Sequence, residues 1–227
     1  MKTSRPMPAF VGQRASSRSA EAPASGLPTV ILLFALPAAL LFTVPGAADS
    51  LLYDRAAILQ GEWWRLWTGH WVHFLPSHLF WNLAVLLGAG LWLERLHPGW
   101  LLRYTLIAAP LISLALLLGE SAMHSYGGLS GLAAGVVTGL ALTQIRRRRA
   151  DRLWWGGLLV LVAAKLFVDA RHGPLFSDFS STPIRSSALA HAAGAGIALA
   201  FFLSPQARFC PPLFGASSSA QLSPPFR

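Results

Sequence analysis

Six apolar runs constrain this chain more than any other feature of its sequence. They cover residues 27–45, 77–96, 100–118, 129–145, 153–168 and 186–203. A bilayer hydrocarbon core of about 30 Å is crossed by about 20 helical residues. Lipid offers no partner to a backbone N–H or C=O, so a run that enters it must satisfy those groups within itself, as a helix does. Composition agrees: 54% of the residues are hydrophobic and 12% charged, against about 25% charged in soluble domains, and the mean hydropathy is +0.50. The expected fold class is an all-α polytopic membrane protein with six transmembrane helices. The formal charge of +9 is not that of a nucleic-acid binder, because the basic residues fall in short clusters beside apolar runs and not along one face. They serve as topology signals. The single Cys210 excludes an intrachain disulfide and a cysteine-based metal cage.

The runs divide the chain into three parts. Residues 1–26 are rich in Ser, Ala and Pro, with Lys2, Arg5, Arg14 and Arg18 against Glu21, the composition of a disordered cytoplasmic arm. Residues 27–203 are the membrane domain, and residues 204–227 form a Pro- and Ser-rich tail. The first run, preceded by basic residues and followed by Gly46-Ala47-Ala48, also fits a cleavable signal peptide. Residues 49–76 mix charge with dense tryptophan (Glu62, Trp63, Trp64, Arg65, Trp67, then His70 and His73), a pattern of structure lying in the membrane interface. Lys165 and Asp169, four residues apart, either pair or leave Lys165 to snorkel to the interface.

Topology picks out the candidate site. The run Arg146-Arg147-Arg148-Arg149 marks the end of the fourth span as cytoplasmic by the positive-inside rule. If all six runs cross, spans two, four and six then start on the outer side, and Asn82, Ser130 and His191 lie at similar depth near those starts. Polar groups inside a membrane are expensive and point to function. Ser130 lies in Gly127-Gly128-Leu129-Ser130-Gly131, where a polar loop turns into an apolar helix. A serine there is either an N-cap or a nucleophile facing the positive helix end and its free N–H groups. Gly131, Gly135 and Gly139 form a small-residue stripe, and His191, Gly194 and Ala198 share one face of the last span. If those faces meet, the imidazole reaches the hydroxyl. Two other uses of the histidines are open at this stage: a metal held by His70, His73 and His78, which no carboxylate or thiol completes, and a haem with His78 and His191 as axial ligands.

In this order the residues resemble the rhomboid intramembrane serine proteases: Trp64-Arg65 in the first outer loop, His78 followed by Asn82, Gly128-Leu129-Ser130-Gly131, and Ala190-His191 with Gly194. The resemblance covers roughly residues 49–203. Within the family, Tyr53-Asp54-Arg55, Gly61-Glu62-Trp63-Trp64-Arg65-Leu66 and Thr68-Gly69-His70 are similar to the bacterial rhombosortase subgroup. A rhomboid-like six-helix bundle is implied, with Ser130 as nucleophile, His191 as base, and His78 and Asn82 with the Ser130 backbone N–H as oxyanion hole. Gly128, Gly131, Gly194, Trp64 and Arg65 would support the site, and Arg65 with Glu62 reads as structural. No cofactor and no metal are implied. The implied substrates are transmembrane proteins, in the subgroup those with a carboxy-terminal Gly-Gly sorting helix; the alternatives within the resemblance are a general rhomboid protease and a non-proteolytic rhomboid-like protein that binds membrane clients. The implied location is a bacterial inner membrane, with the site near the outer face. Ala198 stands where many rhomboids carry a further glycine.

Overall fold

The computed structural model describes residues 26–172 and 187–204. The expected arm, most of the 171–185 loop and the tail beyond Ser204 lie outside the described residues. All six apolar runs are helical: α1 (Leu27–Thr43), α5 (Pro76–Leu96), α6 (Trp100–Gly119), α7 (Ser130–Arg147), α8 (Arg152–His172) and α9 (Ala188–Leu203). Between α1 and α5 lie three short helices, α2 (Ala47–Leu51), α3 (Arg55–Leu59) and α4 (Arg65–Thr68), and a 3₁₀ turn, Gly69–Trp71. Among the described residues three helices are long and apolar enough to cross a membrane: α5, α6 and Arg149–Arg171, which contains most of α8. The apolar α1 and α9 are shorter, and α7 exchanges large apolar side chains for Gly, Ala and Thr that pack it inside the bundle. The chain is a multi-pass helical membrane protein.

The bundle is built on α7. Its face carries α9, which also leans on α6, and α8 packs outside against α7 and α9. Burial follows this order. Of the most apolar window of α6, 44% is buried, against 6% in the Arg149–Arg171 helix, whose apolar side chains are left uncovered by the rest of the bundle. Lys165 and Asp169 of α8 do pair, with Asp169 buried. A carboxylate buried beside a span costs too much to leave uncompensated, so the ion pair prevails over snorkelling of Lys165 alone.

Two prolines inside membrane helices explain how the tryptophan-rich segment is held. Proline has no N–H, so each one orphans the carbonyl four residues earlier. For Pro37 that is Leu33, within a π-helical stretch, Ile31–Ala35; for Pro110 it is Leu106. The Trp71 indole N–H donates to the Leu33 carbonyl (2.7 Å), and the Trp67 indole N–H donates to the Leu106 carbonyl (3.2 Å). Two tryptophans four apart thus clamp the segment onto α1 and α6, each satisfying a group that lipid would leave bare.

Two further devices set the helix ends. Glu94, buried at the end of α5, accepts from the backbone N–H groups of Gly99 (2.5 Å) and Leu101 (3.0 Å), placing a negative group on the orphan donors of the α6 N-terminus. Ser187 caps α9 by accepting from the Ala190 N–H (3.1 Å) and donates its own proton to Glu120 (2.9 Å). His191 therefore starts its helix from a fixed point.

Candidate active site

The serine loop is shaped by pairing that the sequence does not advertise. Strand β1 (Tyr53–Asp54) pairs antiparallel with β2 (Ser125–Tyr126), Tyr53 opposite Tyr126. This ties the interfacial segment to the loop before Ser130. Gly128 has φ +125°, a conformation open to glycine, and a Cβ there would come within 2.5 Å of His78 Cε1. The imidazole of His78 therefore lies directly against the loop. Helix α7 begins at Ser130 itself, with Leu129 in the cap position. Ser130 is thus the first helical residue and not the N-cap, and its N–H is among the donors a helix start leaves without an intrahelical partner.

The two small-residue faces meet. A Cβ on Gly194 would fall 1.9 Å from the Gly131 carbonyl oxygen, one on Gly131 would fall 3.0 Å from that of Ala190, and one on Gly135 would fall 2.6 Å from that of Gly194. At these positions the α7 and α9 backbones touch. Residues 130 and 191 adjoin the contacting pair Gly131 and Ala190, which brings the serine to the first turn of α9. The third glycine of the stripe has another neighbour: Gly139 faces the Trp100 ring, about 3.0 Å from its Cβ position. Tyr104 of α6 closes the seam by donating to the Gly194 carbonyl (3.0 Å). His191 and Asn82 are buried, and His78 and the Lys165–Asp169 pair lie within electrostatic range of His191.

A third histidine organises the donors. His73 is buried; its Nδ1 is 3.0 Å from the Trp71 carbonyl, and its Nε2 is 3.1 Å from Asn82 Nδ2 and 3.5 Å from the Leu129 backbone N. A carbonyl only accepts, so Nδ1 carries the proton and Nε2 is the acceptor. Asn82 must then present its NH₂ group to His73, which fixes the amide orientation and leaves its second N–H to point elsewhere. Burial lowers the His73 pKa to about 4, with the nearby His78 acting in the same direction, so at neutral pH the ring is neutral and Nε2 is free to accept. The sequence placed His73 in the interfacial segment, with metal ligation as an alternative; its signal as an acceptor is three-dimensional.

The remaining residues support this frame. Arg65, buried, donates to Glu62 (2.6 Å) and to the carbonyls of Asp49 (3.0 Å) and Leu52 (2.8 Å), closing the turn before β1. Trp64, half-exposed, donates to the Ser50 carbonyl (3.2 Å). His70 is fully buried, with Nε2 2.8 Å from the Ala109 carbonyl and 3.1 Å from Ser113 Oγ. It packs edge-on against Tyr126. Tyr126 donates to the Gly128 carbonyl (3.1 Å). Burial pushes its pKa up to about 12, opposed by the adjacent Ser130 hydroxyl and Gly131 N–H, so it acts as a neutral donor and not as a base. Among the described residues no group of three or more His, Cys, Asp or Glu side chains is arranged to hold a metal ion.

Fold and site thus define a helical membrane protein with a glycine-lined serine loop packed against a histidine helix. The Rhomboid domain model matches residues 60–206, well over half of the chain, and the chain belongs to the rhomboid family. That family consists generally of intramembrane serine proteases acting on membrane protein substrates within the bilayer, together with rhomboid-like proteins. No curated protein matches the chain.

Proposed function

We propose that this chain is an intramembrane serine endopeptidase with a Ser130–His191 dyad. The observation that carries the reading is the backbone contact of Gly131 with Ala190 and Gly194, which brings a serine at a helix start beside the histidine turn of another helix. Ser130 Oγ attacks the scissile carbonyl while His191 takes its proton; the imidazolium then gives that proton to the leaving amine, and water hydrolyses the acyl-enzyme by the same exchange. The oxyanion is received by the His78 and Asn82 side chains and the Ser130 N–H. Removing one such donor typically costs about 3 kcal/mol of transition-state stabilisation. His73 acts through Asn82 as a positioning residue.

The substrates are membrane-anchored proteins. On the Tyr53-Asp54-Arg55 and Gly61–Leu66 resemblance we assign them a carboxy-terminal Gly-Gly sorting helix, as for a rhombosortase in a bacterial inner membrane. The Arg146–Arg149 end lies inside, so the site lies near the outer face. Ser130→Ala and His191→Ala should each abolish cleavage of a client carrying such a tail, with the variants still folded in the membrane. Undiminished proteolysis by either variant contradicts the dyad. Equal cutting of clients with and without the glycine pair contradicts the subgroup alone.

A further inference from the structure

A groove of about 860 Å³ opens at the opposite end of the bundle from Ser130, between α6, α7 and α9. Its floor is apolar, with Leu106, Ile107 and Leu111 exposed along α6 and Ile197 and Phe201 across from them. Its mouth holds Arg103, Arg146, Arg147 and His97, and no acidic side chain lines it. Glu94, a buried carboxylate at this end, is committed to the α6 N-terminus. Arg146 lies over the Phe202 ring, 3.8 Å from its centroid. Arg103 reaches the Pro98 carbonyl through Nη2 at 3.5 Å, while its Nη1 is buried without a hydrogen-bond partner among the described residues. A buried guanidinium donor without an acceptor is costly. His97 has its pKa lowered by burial and then by Arg147 and Arg103, so the ring is neutral and both guanidinium groups lie within electrostatic range of it.

The dimensions match one leaflet. From Trp100 to Leu111 α6 rises about 16 Å at about 1.5 Å per residue, and half of a bilayer core is about 15 Å. We propose that this groove is a binding site for an anionic phospholipid, its phosphate and acidic headgroup held by Arg103 and Arg147 and one acyl chain lying against α6. Basic pockets between membrane helices suit such headgroups. Charge selects this occupant over protein ones. Residues 205–227 of this chain carry Arg208 and Arg227 and no acid, and an apolar helix offers nothing to three arginines.

The test uses the full chain purified from membranes of equal phosphatidylglycerol and phosphatidylcholine, with retained lipid read by native mass spectrometry. One phosphatidylglycerol should stay bound, and each of Arg103→Gln and Arg147→Gln should lower its retention about five-fold. Arg148→Gln, whose guanidinium pairs with Asp151 at the surface (3.8 Å), should leave it unchanged. Ile197→Trp, which fills the floor and keeps the arginines, should expel the lipid, so the site stays testable if an arginine variant misfolds. Equal retention of phosphatidylcholine would overturn the proposal. So would displacement by millimolar inorganic phosphate, which marks a free-phosphate site, or displacement by an apolar helical peptide, which marks a protein groove. Phosphatidylglycerol binding that appears only after truncation at Ser204 would assign the groove to the tail and overturn it as well. None of these readouts depends on proteolysis.

Discussion

The two ends of the α7–α9 pair are built in opposite ways. At the serine end the backbones touch, through Gly131, Ala190 and Gly194, and Tyr104 bonds across the seam. At the arginine end the helices are spaced by rings. Trp100 stacks on Tyr104 at 4.7 Å, Phe201 meets both edge-on, and Arg146 covers Phe202. Backbone contact fixes atoms to a fraction of an ångström, which suits the nucleophile and base proposed above, since they would have to stay in register. Side-chain contact leaves room, and there the groove opens. One helix pair thus provides a rigid chemical end and an accommodating end.

Substitution at the rigid end should have the largest effect. Gly194→Ala puts a methyl 1.9 Å from the Gly131 carbonyl oxygen. Because that neighbour is backbone, the helices must separate, at a cost of about 3 kcal/mol or more, read as a lower midpoint of thermal unfolding in detergent together with loss of proteolysis. A midpoint within a degree of the parent would mean that the seam is looser than described.

Next come the donors beside the seam. Asn82→Ala should lower kcat about 10²- to 10³-fold with little change in KM. His73→Ala should lower kcat as well, but in the Asn82→Ala background it should add almost nothing, since it acts through that amide. Fully additive losses would show that His73 only supports the fold.

The clamps should have a smaller effect. Trp67→Phe leaves the Leu106 carbonyl without its donor and should destabilise by about 1–3 kcal/mol. Pro110→Ala restores the helical N–H and should make the same change nearly neutral. If Trp67→Phe costs the same in both backgrounds, the indole is packing and not capping.

The smallest effect sharpens the comparison most. Gly196 lies two residues beyond Gly194 on the same helix, with open space where its Cβ would be. Gly196→Ala should therefore stabilise by about 0.5–1 kcal/mol through helix propensity alone. A loss there would show that α9 is crowded on a face now described as open.

Much of this was legible from residue pattern. The helices follow the apolar runs to within a few residues because hydrocarbon leaves no other backbone solution. Ser130 and His191 fall in first turns as the runs imply, and the glycine spacing anticipates their packing. The third glycine fails as a forecast: Gly139 meets Trp100, because a stripe says that something comes close and not what. The β1–β2 pair was not legible, since two residues per strand carry no alternation. The tryptophan clamps were half visible. Pro37 and Pro110 announce which carbonyls are orphaned, but only the folded chain shows which indoles reach them. The place of His73 was not legible, because nothing in its spacing shows that it comes to lie between the Trp71 carbonyl and the Asn82 amide.

We propose above all that Ser130 is a nucleophile activated by His191. An active-site-directed fluorophosphonate probe, applied to the full chain in membranes and mapped by peptide mass spectrometry, tests it most directly. The predicted result is covalent labelling at Ser130 that disappears in both Ser130→Ala and His191→Ala while Gly196→Ala still reacts. Labelling that persists in Ser130→Ala, or a folded parent protein that does not react at all, would contradict it.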